Sequence, residues 1–151
     1  MSDKKNSNKL HQALIGSYSA HKKYSFQKFQ KLNLSTGQPK VLSILSNKEG
    51  YLQKDLAKRC HVEPATITSI LTNMVNKGLV YKETVYVSGG KKANAIYLTQ
   101  KGRDMALKIN KIIDDIEVIS FQGFEEKEKE LIIDLLVRIQ SNLENNIRRE
   151  Q

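Results

Sequence analysis

Ala65, Thr66, Thr68, Ser69, Thr72, Asn73 and Asn76 form a strip of short side chains, mostly hydroxyls and amides, with no Glu, Lys or Arg among them. They lie in residues 63–80, EPATITSILTNMVNKGLV, where Ile67, Ile70, Leu71 and Met74 recur at the i, i+3, i+4, i+7 spacing of a buried helix stripe. The polar strip therefore falls on the opposite, solvent side. Hydroxyl and amide residues are mediocre helix formers, so their choice for an exposed helix face calls for a chemical reason. Such groups donate and accept hydrogen bonds at short reach, and a threonine methyl can pack against an apolar group. A helix with this face can bring its backbone close to a polar surface, whereas long charged side chains would hold it off.

Charge indicates which surface. The 151-residue chain carries a net charge of +9, with pI near 9.6. Residues 1–50 hold nine basic and two acidic groups, residues 51–103 nine and three, and residues 104–151 seven and eleven. A chain that is basic through its first two thirds and acidic at its end aims one surface at an anion. Nucleic acid leads as the partner, ahead of a membrane surface.

The elements that must position the strip can be followed along the chain. After a polar leader, Leu10, Leu14, Ile15 and Tyr18 begin a helix that continues through Tyr24 and Phe29 and stops near Leu32. In LSTGQPKVLSIL, Thr36 is the preferred cap over Ser35 because it sets Pro39 in the first turn, and Val41, Leu42 and Leu45 face inward. A loop at SNKEG leads into YLQKDLAKRC, a short helix burying Leu56, Ala57 and Cys60, and His61 and Val62 turn the chain. The helix of the opening strip follows, with Pro64 in its first turn and Gly78 closing it in a left-handed conformation. LVYKETVYV and AIYLT read as strands and SGGKKAN as the turn between them, a hairpin with a basic tip. Thr99 caps the next helix, in which Met105, Ile109, Ile112, Ile113 and Ile116 repeat at helical spacing. The last helix starts near Glu125 and carries Leu131, Ile132, Leu135, Leu136, Ile139 and Leu143 on one side. The fold class is mainly α with a small β-hairpin.

A short helix, a tight turn and a second helix with a small polar face are the layout of a helix-turn-helix, whose second helix enters the DNA major groove. There Ser, Thr and Asn can meet base edges and a methyl can pack on thymine. Thr66, Ser69, Thr72 and Asn73, with Ala65 and Thr68 beside them, are the candidate base-reading residues. Gln53, Lys54, Lys77, Lys82, Lys91 and Lys92 are the candidates for phosphate or the minor groove.

On LSTGQPKVLSIL, GYLQKDLAKRCHVEPATITSILTNMVNKGLVYK and KKANAIYLTQKG, the chain resembles the winged helix-turn-helix of MarR-type transcriptional regulators. The resemblance covers nearly the whole chain. Its most specific parts are GQP-x-x-L, the L-A-x4-V-x-P-x-T-x-T core, N-K-G-L-V and the L-T-x-K-G after the wing. It implies a homodimer in which residues 1–34 and 104–151 form the dimerisation region and residues 35–103 the DNA-binding domain. The partner it implies is double-stranded DNA with a near-palindromic operator. Proteins of this type are usually repressors released by a small phenolic or drug-like effector, some by oxidation, and some respond to metal. Three departures stand out. Gly90 and Lys92 replace the usual Asp-x-Arg of the wing, so the carboxylate that would orient a minor-groove arginine is absent; Ser69 and Asn73 stand where arginine is common, which favours AT-rich sites; and Glu63 is a weak helix cap.

Other residues receive quieter readings. Cys60, the single cysteine, falls at an inward position four after Leu56 and reads as core, while the family's peroxide-sensing cysteine lies in the first helix. His11, His21 and His61 are far apart and lack the clustered spacing of a metal site. His11, Ile15 and Tyr18 are candidates to line an effector cleft. The aliphatic stripes of the last two helices suggest a subunit interface. No glycine-rich phosphate loop, metal constellation or nucleophile spacing marks an enzyme, and no cofactor is expected. With no apolar run near membrane-spanning length and no apolar stretch in MSDKKNSNK, the chain is expected in the cytoplasm with no membrane partner. The competing reading is a winged-helix protein-interaction module without specific DNA binding, and a more distant one is an RNA-binding winged helix.

Overall fold

A computed structural model describes residues 8–151; the polar leader, residues 1–7, lies outside the described residues. The helices are α1 (Lys9–Phe29), α2 (Gln38–Asn47), α3 (Gln53–Arg59), α4 (Pro64–Asn76), α5 (Gln100–Ser120) and α6 (Glu126–Glu150). The strands are β1 (Tyr51–Leu52), between α2 and α3, and β2 (Val80–Val87) and β3 (Lys91–Leu98), between α4 and α5. The strands form one antiparallel sheet in the order β1-β3-β2. No described helix is long and apolar enough to cross a membrane. The chain divides into two compact units, the first ending at Ile116 and the second Glu117–Gln151.

The core of the first unit collects the stripes that periodicity picks out. Val41, Leu42 and Leu45 come from α2, Leu56, Ala57 and Cys60 from α3, and Ile67, Ile70, Leu71 and Met74 from α4. Leu79, Val80, Ile96 and Leu98 close it from the sheet side, and Ala106 and Ile109 from α5. Fully burying a side chain of Leu or Ile size contributes about 1.5–3 kcal/mol, so this shared cluster fixes α4 to the rest of the unit.

Three local expectations are corrected. Thr36 does not cap α2: the cap is Gly37, left-handed at φ 90°, with no side-chain cap bond. The turn is made instead by Gln38, whose Oε1 accepts from the Ser35 N–H at 3.2 Å while its own N–H donates to the Ser35 carbonyl at 3.2 Å. A Cβ at Gly37 would lie 2.5 Å from the Ile70 Cδ1, the mobile end of that side chain, so the left-handed φ rather than the contact is what favours glycine. Secondly, Tyr51 and Leu52 are not helical. They pair with Ile96 and Ala95, and α3 begins only at Gln53. Thirdly, the hairpin turn is Ser88–Gly90 alone, with Gly89 and Gly90 left-handed, and Lys91 to Asn94 belong to β3.

The ends of α4 and α5 form as expected. Gly78, φ 73°, follows α4, with its N–H donating to the Val75 carbonyl at 3.0 Å and the Leu79 N–H to the Met74 carbonyl at 2.9 Å, which satisfies the last turn. The Thr99 hydroxyl accepts from the Gly102 N–H at 3.0 Å and so caps α5. In the second unit, Glu125 and Glu128 form a reciprocal capping box at the start of α6.

Candidate nucleic-acid interface

The turn between α3 and α4 sets the angle of the polar strip. Cys60 ends α3, and His61 takes the left-handed conformation, φ 54°, that a glycine would ordinarily supply. The His61 N–H donates to the Lys58 carbonyl at 3.1 Å and the Val62 N–H to the Ala57 carbonyl at 3.1 Å, so the turn closes without glycine. Glu63 then starts α4 with no side-chain cap bond, and the strip's side of the helix faces outward.

Ala65, Thr66, Thr68, Ser69, Thr72, Asn73 and Asn76 are all exposed, while Ile67, Leu71 and Met74 behind them are buried to 1% or less. The strip is chemically differentiated. The Thr68 hydroxyl donates to the Pro64 carbonyl at 3.0 Å and the Thr72 hydroxyl to the Thr68 carbonyl at 2.8 Å. With their protons committed to the helix backbone, these two hydroxyls offer acceptor lone pairs and a methyl to anything outside. Gln53 is linked to the strip, its Nε2 donating to the Thr68 Oγ1 at 2.7 Å and fixing the first residue of α3 on α4. That bond leaves the Gln53 Oε1 and one amide hydrogen available.

The expected cations do not act as one group. Lys54 is exposed at the second position of α3, and Lys82 is half-buried on β2. Lys91 and Lys92 are both exposed, but they are successive residues of a strand and point to opposite faces. Lys92 pairs with Tyr86 and Lys91 with Val87. Lys77 differs from the rest of the phosphate set: its Nζ donates to the Asn33 carbonyl at 3.0 Å and to the Gln38 Oε1 at 3.1 Å. Two of its three donors are occupied by the chain itself.

Two features escaped the sequence reading. Tyr86 is 69% exposed beside Lys92, and the alternation of YKETVYV places it on that face once the register is known. Tyr51 lies between two cations, with Lys48 Nζ 5.3 Å and Arg59 Cζ 4.7 Å from its ring centroid. Cys60 is buried, and burial pushes its thiol pKa up, partly offset by Lys40. A neutral buried thiol is a poor nucleophile, which agrees with a packing role. His11, Ile15 and Tyr18 are all exposed on α1. Among the described residues no group of three His, Cys, Asp or Glu side chains could hold a metal ion.

Comparison with known proteins places this arrangement. Residues 34–84 match the model of the MarR family, a span that runs from the α1–α2 connection into β2. A curated relative, the uncharacterized HTH-type transcriptional regulator YybA of Bacillus subtilis, is 25% identical over 118 residues, covering 78% of this chain and 77% of its own length. The crystal structure of the transcriptional regulator PA3341 is similar with a TM-score of 0.80 and 27% identity, over 90% of this chain and 98% of that one. A MarR family transcriptional regulator from Listeria monocytogenes, solved in complex with a 26mer DNA, shares the fold with a TM-score of 0.80 and 22% identity, over 89% of each chain. The sheet and helices of the first unit have the winged helix-turn-helix fold of that group, and residues 34–84 are similar to the MarR family.

Proposed function

We propose that this regulator is a homodimeric repressor that binds a near-palindromic duplex through α4 and is released by a small aromatic or drug-like effector. The observation that carries the DNA reading is the strip itself, an uncharged helix face left open by the chain's own atoms in a protein of net charge +9. Thr66, Ser69 and Asn73 supply donors and acceptors to base edges, Thr68 and Thr72 supply acceptors and methyls, and Ala65 lets the first turn approach closely. Gln53 and Lys54 at the start of α3 meet phosphate, as do Lys82 and Lys91 or Lys92 on the hairpin. A protein of the same fold, the Listeria regulator, is solved in complex with a 26mer DNA, which supports the DNA reading.

Dimerisation through residues 1–34 and 104–151 is supported by apolar side chains left in solvent. Leu10, Ile15, Tyr18 and Phe26 on α1 and Leu131, Leu136, Leu143 and Ile147 on α6 are each more than 40% exposed. A soluble protein keeps this much apolar surface uncovered only where something packs on it. A two-fold dimer presents two recognition helices about 34 Å apart, one turn of duplex. His11, Ile15 and Tyr18 share a face of α1 and line the effector cleft once a second copy closes it.

The test is fluorescence anisotropy with random-sequence duplex at low and moderate salt, followed by enrichment of binding sites from a random pool. Salt-sensitive binding and an enriched site with two related halves one helical turn apart are expected. Absence of binding at low salt would overturn the DNA reading and favour a protein-docking module.

A further inference from the structure

The C-terminal end of α4 is tied to three other parts of the first unit. Lys77 reaches back 44 residues to the Asn33 carbonyl and 39 residues to the buried Gln38 side chain, which itself shapes the start of α2. From the other side, the Lys101 Nζ donates to the Lys77 carbonyl at 2.8 Å, and the Thr99 hydroxyl donates to the Gly78 carbonyl. The start of α5 is seated on the next carbonyl, since a Cβ at Gly102 would lie 2.0 Å from the Leu79 oxygen. α4 is therefore pinned at its far end, and its outer strip is free of such ties except for the Gln53–Thr68 bond.

We infer that Lys77 is a positioning residue for recognition: its ammonium, held by Asn33 and Gln38, sets the axis of α4 against the α1–α2 connection and the start of α2. This rests on the DNA reading above and deepens it. A helix of 13 residues is about 20 Å long, so a tilt of about 5° pivoted at Lys77 moves the first turn by nearly 2 Å. Hydrogen bonds to base edges tolerate only about half an ångström, so such a tilt breaks sequence reading. Attraction to phosphate persists over roughly 10 Å at moderate salt and is hardly changed by it. Lys77 thus governs selectivity without touching nucleic acid.

The two roles separate by measurement. Wild type, Lys77→Met, Lys77→Arg and Lys92→Gln are titrated with a duplex enriched by wild type and with a scrambled duplex of the same composition, at several salt concentrations. Lys77→Met is expected to weaken the enriched duplex about tenfold, the lower end for a lost base contact, with scrambled binding and the log-salt slope unchanged. Lys77→Arg, which keeps the cation, is expected to recover most of the loss, whereas Lys92→Gln weakens both duplexes and lowers the slope by about one. A parallel loss on both duplexes with a reduced slope for Lys77→Met would make Lys77 a phosphate contact and overturn the inference. Unchanged binding to both would overturn it too. Should Lys77→Met melt below the assay temperature, Lys101→Met, which removes an exposed tie to the same node, is expected to show a smaller loss of the same kind, and unchanged selectivity there counts against the inference. If wild type enriches no duplex, the DNA reading itself fails; a wild type that enriches one while the Lys77 variants match it sinks the positioning role alone.

Discussion

Two helices of this chain leave a long face in solvent, and the two faces have opposite chemistry. On α4 the exposed residues are mostly Thr, Ser, Asn and Ala, with Pro64 at the start and Val75 near the end, backed by a buried stripe of Ile67, Ile70, Leu71 and Met74. On α6 the exposed residues include Leu131, Ile133, Leu136, Val137, Leu143 and Ile147, and no residue of the helix is buried in the single chain. A helix whose apolar stripe already meets a core can present any chemistry outward. One whose apolar stripe meets nothing has yet to find its core. The difference teaches that α4 packs its apolar stripe within its own unit and so leaves a polar face outward, while α6 leaves apolar side chains exposed, the feature on which the proposed dimer rests.

Removing the support behind α4 has the largest expected effect. Leu71→Ala should cost about 2–5 kcal/mol of stability, measured by urea titration, because Leu71 is fully buried in the core cluster and its removal leaves a cavity there. A cost under about 1 kcal/mol would mean that α4 is not seated as described. On the other face, Leu136→Glu should leave the winged unit folded but weaken self-association by roughly 30-fold or more, read by sedimentation equilibrium. An unaltered association constant would remove α6 from the dimer interface.

Smaller effects sharpen the polar side. Because Lys91 and Lys92 face opposite sides of β3, replacing each by Gln should be unequal: Lys92→Gln lowers the log-affinity versus log-salt slope by about one and Lys91→Gln leaves it alone. Equal reductions would contradict the strand geometry. The smallest effect concerns Cys60. Burial holds its thiol pKa above the ordinary value, so folding retains a proton that the unfolded chain releases. Its contribution to stability is complete below the unfolded thiol pKa and declines as pH rises toward the folded value. Wild type should therefore lose stability relative to Cys60→Ala alkaline of the ordinary thiol range, and native Cys60 should alkylate slowly at neutral pH.

Much of the fold was legible in the chain. The stripes of α2, α4 and α5, the left-handed Gly78 and the cap at Thr99 each depend on residues within about four positions of one another. The candidate site was legible as a composition: the strip on α4 is where the sequence reading placed it. What escaped it involves partners far along the chain. β1 is two residues long and carries no periodicity of its own; it exists because Ile96 and Ala95 lie beside it. Gly37 rather than Thr36 starts α2, in a left-handed conformation and against the Ile70 side chain of a distant helix.

The amino-acid order alone determined which faces are apolar, where α4 ends and α5 starts, and that one exposed face is made of short polar groups, since helical period and capping act over a few residues. Only the tertiary structure decided what each cation does. Lys77 and Lys92 are the same residue type in equally basic surroundings, yet one bonds a carbonyl 44 residues away and the other stands in solvent beside Tyr86. An ammonium on a flexible stem takes whatever acceptor the fold brings within reach, and that proximity is written in the packing of distant elements.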